Sequence, residues 1–291
     1  MANLKDIRLR IASVINTRQV TNAMKMVSAA KLRKAQDSVL KIRPYADGIE
    51  DVISTVAAQM PGGINLPLFQ QRQVNHTLVI LLTSNKGLCG TFNSGITKKA
   101  IDWVENQFGE KEISSQCSFF LIGRKGYDVI SRLKYPIYGR EDNLVHKPAF
   151  DFTAFFVQEL LKRYQSGDFD RVVVFYNSFK TAASQTQCME QLLPIQIPRQ
   201  KTHKNLDYIF EPNPKAILEK YSIKLLESKM HKIILDSVAS EHGARMTAMH
   251  KATDNATELI STLRLTYNKA RQDNITREIN EIVSGANALK R

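Results

Sequence analysis

Residues 214–289 read PKAILEKYSIKLLESKMHKIILDSVASEHGARMTAMHKATDNATELISTLRLTYNKARQDNITREINEIVSGANAL, and this stretch decides the architecture. From Lys215 to Arg291 there is no proline, and the only glycines are Gly243 and Gly285. Glycine leaves the backbone too free for a helix, and proline lacks the amide hydrogen and clashes with the preceding turn. A helix from Pro214 to Leu289 is roughly 110 Å long, several times the diameter of a small domain. An ordinary active site needs no such length; reaching a distant partner does. The helix start is marked by Glu211-Pro212-Asn213-Pro214, which puts an Asn at the N-cap and a proline at the first helical position.

The first 43 residues contain neither breaker, whereas eleven of the 13 glycines and eight of the nine prolines fall between Gly48 and Pro214. The pattern predicts two long terminal helices around a breaker-rich globular insert: an N-terminal helix within 1–58, an insert over 72–200 and a C-terminal helix over 214–291. Leu4, Ile7, Ile11 and Val14 step by 3, 4 and 3, and Met24, Val27 and Leu32 carry a weaker stripe onward. Asn3 is the expected cap. The helix is expected to run past Pro44, kinked there, to about Ala58, before Pro61-Gly62-Gly63 ends it. Neither helix is apolar all round, so each must bury one face, and an antiparallel coiled coil of the two is the economical arrangement.

The two lengths differ, at roughly 84 Å and roughly 114 Å. With the bases side by side, about 20 residues of the C-terminal helix project beyond the first, starting near Ala270. Within that overhang Ile275, Ile279, Ile282, Ala286 and Leu289 step by 4, 3, 4 and 3, the seam of a coiled coil without a partner in this chain. An apolar stripe left in water is a binding surface.

The insert has another rhythm. Thr77–Leu82 and Ser118–Ile122 are apolar runs of strand length, as is Arg171–Tyr176, and Gln185–Ile197 reads as further strand up to Pro194 and Pro198. Helix-like stretches cover Asn93–Phe108, Arg124–Leu133 and Asp151–Tyr164. Alternating strands and helices predict a mainly parallel, Rossmann-like α/β sheet. Gly87, Gly90 and Gly95 sit between strand and helix, where phosphate loops occur. Their spacing, G-x-x-G-x-x-x-x-G, fits neither the dinucleotide fingerprint nor the P-loop, and Gly123-Arg124-Lys125-Gly126 fits neither also. The glycines are read as permitting a tight turn, and no cofactor is expected.

Catalytic constellations are thin. The six histidines show no metal spacing, and Glu241-His242 reads as a solvated pair. Cys89, Cys117 and Cys188 are widely spaced and odd in number, which points to reduced thiols without a zinc site or disulfide framework; Cys89, just after a turn, could be exposed. There is no hydrophobic run of transmembrane length and no secretory signal. The basic, acid-poor N-terminus resembles a transit peptide in composition, but its capped periodic helix favours a mature terminus. The chain carries 41 Lys+Arg against 28 Asp+Glu, a net charge of +13. Residues 1–43 hold ten basic side chains and two acids. Such a stripe can bind nucleic acid or an acidic protein surface, and it can also be a solvated face; it has no interleaved aromatics.

Four stretches carry a family resemblance. Met24-Lys-Met-Val-Ser-Ala-Ala-Lys-Leu-Arg-Lys34, the turn Ser84-Asn-Lys-Gly-Leu-Cys-Gly90, and the C-terminal stretches Ser240–Asn255 and Tyr267–Gly285 closely resemble the gamma subunit of F-type ATP synthases. The match spans the chain in order and its motifs are specific. The turn departs only at Asn85-Lys86, where the family usually has an acidic–basic pair. The resemblance implies a non-catalytic central rotor that couples ion flow through the membrane c-subunit ring to rotary change in a hexamer of alternating alpha and beta subunits. It implies an epsilon subunit beside the insert and a peripheral place at the cytoplasmic face of a bacterial inner membrane, or alternatively at the matrix face of the mitochondrial one. The segment matching Met24 and Lys25 faces the acidic lever of the beta subunits in that family. Arg271 and Gln272 match residues that contact a beta-subunit loop, with Thr276 and Glu278 close by, and Arg245 matches a further coupling position. Ile275, Ile279, Ile282 and Leu289 would form the tip in an apolar bearing. The alternatives read from the residues are a basic coiled-coil nucleic-acid binder or scaffold, which leaves the apolar overhang unexplained, and a Rossmann-like enzyme, which lacks a phosphate fingerprint.

Overall fold

The computed structural model describes residues 4–60, 66–109, 113–182, 184–196 and 210–289. In chain order it contains α1 (Leu4–Ala58), β1 (Thr77–Leu82), α2 (Phe92–Phe108), α3 (Ile113–Gln116), β2 (Cys117–Ile122), α4 (Arg124–Ile130), β3 (Ile137–Arg140), α5 (Asn143–His146), α6 (Phe150–Ser166), β4 (Arg171–Phe179), β5 (Gln185–Leu193) and α7 (Pro214–Leu289). The chain forms two compact units, Met1–Ser28 with Met246–Arg291, and Ala29–Arg245. The terminal helices contribute to both.

α1 runs unbroken through Pro44 and ends at Ala58; the expected Asn3 cap and the Pro61-Gly62-Gly63 break lie outside the described residues. Buried and half-buried positions along it recur at steps of 4 and 3 from Ile7 to Val56, the spacing of a coiled-coil seam. Between Val14 and Leu32 that seam passes through Arg18, Thr21, Lys25 and Ser28. The apolar stripe expected there is corrected accordingly: Met24 is half-buried and Val27 is 56% exposed. Polar residues hold the seam positions, which is why hydrophobicity alone misplaced it by one residue.

In the first unit the two helices run antiparallel. Thr253 Oγ1 donates to Thr21 Oγ1 at 2.9 Å, and Arg8 Nη2 donates to the Tyr267 hydroxyl at 2.9 Å, so α7 advances as α1 steps back. Met249, Ala256 and Ile260 are buried on the α7 side. From Arg271 to Ala286 every residue is exposed.

In the second unit a five-stranded sheet has the order β3-β2-β1-β4-β5, with all neighbours parallel except β4 and β5. All six residues of the central β1 are buried, the signature of a parallel strand covered on both faces. One face packs Val79, Leu81, Phe119, Leu121, Val173 and Phe175 against Ile96, Ala100 and Val104 of α2 and Ile130 of α4. On the other, Phe156 of α6 meets Phe120 with ring centroids 4.9 Å apart. β3, absent from the sequence reading, is a four-residue edge strand with alternating exposure. β5 ends at Leu193, because Pro194 has no amide to continue the ladder; Ile197 and Pro198 lie outside the described residues.

α7 starts as expected, with the Ala216 amide donating to Asn213 Oδ1 at 2.8 Å. Its middle departs from the expectation of one buried face. From Leu225 to Glu241 every residue is buried except the half-buried Lys229 and Lys232. Several of these buried residues are polar: Glu227, Ser228, Asp236, Ser237 and Ser240. Polar residues on a helix covered on all sides need partners inside the protein or carry a desolvation cost, and Asp236 Oδ1 and Ser240 Oγ have no hydrogen bond.

Candidate functional site

In an open α/β sheet a ligand binds beyond the carboxyl ends of the strands, where the chain order reverses. Here that point lies between β1 and β4, since β2 and β3 are added on one side of β1 and β4 and β5 on the other. The chain's own α7 covers this crevice. A side-chain carbon at Gly243 would stand 3.2 Å from the Ala182 carbonyl oxygen and 3.5 Å from the Phe179 ring, at the end of β4. Across the crevice Arg245 Nη2 donates to the Lys86 carbonyl at 3.0 Å and Nε to the Gly87 carbonyl at 3.3 Å, on the turn after β1.

The two glycine turns thus have internal tasks. The Ser84–Gly90 turn offers Arg245 carbonyl oxygens, the wrong polarity for a phosphate. At Gly123–Gly126 the Arg124 amide donates to Asn85 Oδ1 (3.0 Å), the Lys125 amide to the Ser84 carbonyl (3.1 Å) and the Gly126 amide to Thr83 Oγ1 (2.8 Å). Those are the amides an anion would need, and the β1 turn satisfies all three. Gly123 has φ +99°, and a Cβ there would lie 2.1 Å from the Thr83 carbonyl oxygen, so only glycine fits.

Arg245 is 8% exposed and its Nη1 lies 2.7 Å from Glu241 Oε1. The expected solvated Glu241-His242 pair is therefore corrected. Glu241 is 9% exposed and bound to Arg245; burial raises its carboxyl pKa, and Arg245 pulls it back. Burial, assisted by Arg245 and Lys31, lowers the His242 pKa to about 4. Cys89 is also corrected: it is 2% exposed, its Sγ accepts from Asn93 Nδ2 at 3.2 Å, and burial raises its thiol pKa. Among the described residues no group of three or more His, Cys, Asp or Glu side chains is placed to hold a metal.

The other residues singled out from sequence all lie in the first unit. Met24 and Lys25 are half-buried on α1, Lys25 at a seam position. Arg271, Gln272, Thr276 and Glu278 are exposed on α7. Ile275, Ile279 and Ile282 are 42%, 53% and 70% exposed, and Val283, not singled out, is 52% exposed beside them. The Leu289 side chain lies outside the described residues. Arg245 joins two of the sequence motifs, the α7 stretch and the β1 turn. Its partner Glu241 was legible from the i,i+4 spacing, and Gly243 from being a lone glycine inside a helix.

A sheet whose ligand crevice is closed by its own helix, and a helical pair in which Arg271–Ala286 of one member is exposed throughout, define a structural subunit of a larger assembly. Comparison gives that class its family. Residues 3–289 match the family model described as ATP synthase. The ATP synthase gamma chain of Flavobacterium johnsoniae is 45% identical over 290 residues, 99% of each chain, and that of Flavobacterium psychrophilum is 46% identical over 291 residues, the whole of both. Among solved structures, a chain of the Euglena gracilis mitochondrial ATP synthase (OSCP/F1/c-ring, rotational state 3) matches with a TM-score of 0.66 at 19% identity, over 98% of this chain and 94% of that one. One from the Tetrahymena thermophila mitochondrial ATP synthase central stalk/c-ring gives 0.58 at 23%, over 80% and 99%. At these identities the structural likeness carries the fold. This chain belongs to the gamma-chain family of ATP synthases. It is a rotor subunit of a membrane-associated complex, and catalysis belongs to other subunits. Among the described residues no helix is long and apolar enough to cross a membrane.

Proposed function

We propose that Arg271–Leu289 is the bearing tip of the rotor, standing in the bore of an alpha/beta hexamer, and that Arg271, Gln272, Thr276 and Glu278 are its grip on the beta subunits. The observation that carries this reading is the exposure of every residue from Arg271 to Ala286, including three isoleucines at coiled-coil spacing. Burying one such side chain stabilises an assembly by roughly 1.5–3 kcal/mol, so the strip favours insertion into an apolar sleeve. The polar residues among them supply what an apolar sleeve lacks, because hydrophobic contact has no preferred angle and a rotor must grip at some angles more than others. Met24 and Lys25, on the basic α1, face the acidic lever of the beta subunits. The insert rests on the c-subunit ring beside an epsilon subunit. The complex lies at the cytoplasmic face of a bacterial inner membrane, a reading supported by the bacterial gamma chains at 45% and 46% identity.

The test is the native complex purified through a tag on this chain. One copy for each three alpha–beta pairs is expected, with epsilon and the c-ring. Deleting residues 275–291 should leave the helix and strand signals of the remainder in circular dichroism while ATP-driven ion pumping falls. A copy number equal to that of alpha, or full pumping after the deletion, overturns the reading.

A further inference from the structure

Within Ala29–Arg245, α1, α7, β4 and β5 line a partly open cavity of about 270 Å³. It is faced by Glu50 of α1, Tyr176 of β4, Glu190 of β5 and Lys229, Lys232 and Asp236 of α7. It has room for several waters, at roughly 30 Å³ each. Most of these groups are matched. The Tyr176 hydroxyl donates to Glu190 Oε1, Lys229 Nζ stands 3.3 Å from Glu190 Oε2, and Lys232 Nζ donates to Asp47 Oδ1 at 3.0 Å.

Asp236 is the exception. It is 5% exposed, its Oδ1 accepts no hydrogen bond, and its ion pair is with Arg43 Nη2 at 3.9 Å, beyond hydrogen-bond reach. A buried carboxylate whose Oδ1 accepts no hydrogen bond and whose ion pair is long is under-compensated, and neutralisation relieves it. Burial raises the Asp236 pKa above the ordinary carboxylate value; Arg43 and Lys232 pull it down, and Glu190 across the cavity adds to the rise. Asp47 and Glu50 on α1 and Lys229 on α7 complete the charged surroundings, while burial keeps the Tyr176 hydroxyl neutral.

We propose that this cavity is a proton-binding site: Asp236 takes a proton from the cavity water as the medium acidifies, and the contact between α1 and α7 around Arg43 and Asp236 tightens. The proton converts a carboxylate into an acid with one O–H donor, facing a cavity whose acceptors include Glu190 and Glu50. The buried charge disappears and a hydrogen bond can form. The gamma-chain relatives aside, this follows from the cavity alone and stands apart from the bearing-tip reading.

Hydrogen exchange on the assembled complex, corrected for the intrinsic pH dependence of amide exchange, tests it. The readout is protection of peptides covering residues 39–50 and 228–240. In wild type, protection should rise severalfold as pH falls from about 7.5 toward the ordinary carboxylate value of 3.8. In Asp236→Asn it should be high throughout. In Arg43→Gln, which removes a cation favouring the charged form, the rise should begin at higher pH. Burial lowers the pKa of both His231 and His242, so both lose stability on acidification; Asp236→Asn retains both, so its comparison with wild type isolates the carboxyl. No rise in wild type, an equal rise in Asp236→Asn, or an unmoved onset in Arg43→Gln overturns the proposal.

Discussion

Arg245 Nη1 and Glu241 Oε1, one turn apart on α7, form an ion pair at 2.7 Å with side chains only 9% and 12% exposed. The pair compensates a carboxylate inside a helix that is covered on all sides. It also aims the rest of the guanidinium at the Lys86 and Gly87 carbonyls, so one side chain ties α7 to the turn after β1.

Arg245→Ala strands the Glu241 carboxylate and two carbonyls. A loss of about 3–5 kcal/mol is expected, the range for breaking a buried pair from one side. Arg245→Lys should be intermediate, since an ammonium lacks the planar fork needed for three acceptors. Denaturant unfolding of the full chain, followed by circular dichroism, measures both. A loss under about 1 kcal/mol for the alanine variant would mean the pair holds nothing in place.

Two glycines should respond differently to alanine. Gly123→Ala drives a methyl into the Thr83 carbonyl at a positive φ, and a loss above about 4 kcal/mol is expected. Gly90 has φ +59° with no atom within 4 Å of an added Cβ, so Gly90→Ala should lose only the left-handed strain, about 1–2 kcal/mol. Equal losses in thermal unfolding would contradict this account of the turns.

Arg271→Ala combined with Gln272→Leu alters two exposed side chains of α7 without lowering helix propensity much. The double variant should fold and assemble. It should lose at least about tenfold in steady-state ATP turnover, because a hydrogen bond to a charged group contributes roughly 1.5–3 kcal/mol. ATP hydrolysis and ATP-driven pumping at wild-type rates would remove these residues from the coupling contact.

Acidification should also weaken the fold at His242. Its pKa falls from an ordinary 6.5 to about 4, so the unfolded chain binds the proton first. The stabilisation by neutral His242 is complete above about pH 6.5 and is lost as pH falls toward about 4. His242→Gln should flatten the unfolding midpoint across that interval. An unchanged pH profile in the variant would show that His242 is not the titrating group. The sign is opposite to that expected at Asp236, so the two are separable by local exchange.

Much of the fold was legible. Breaker-free termini marked α1 and α7, Asn213-Pro214 marked the start of α7, and continuous apolar runs marked β1, β2 and β4. The strand β3 was not, because Ile137–Arg140 is a short edge strand whose alternating residues resemble a loop. Nor was the exact seam in α1, where Lys25 and Ser28 hold positions a hydrophobicity count assigns to Met24 and Val27. The family resemblance singled out Arg245 and Arg271 alike. Only packing separates them, one buried against a turn and the other fully exposed.

The sequence by itself determined the long helices, the buried parallel strands and the family, because helix propensity, periodicity and motif order are properties of neighbouring residues. Tertiary structure alone decided that Leu225–Glu241 is covered on nearly every side, that α7 closes the crevice of its own sheet, and that Asp236 Oδ1 is buried beside a cavity with no hydrogen bond. Burial and charge compensation depend on groups far away in the chain. Asp236 is paired, at long range, with Arg43, and Arg245 is answered by Lys86 and Gly87; no local pattern brings such residues together.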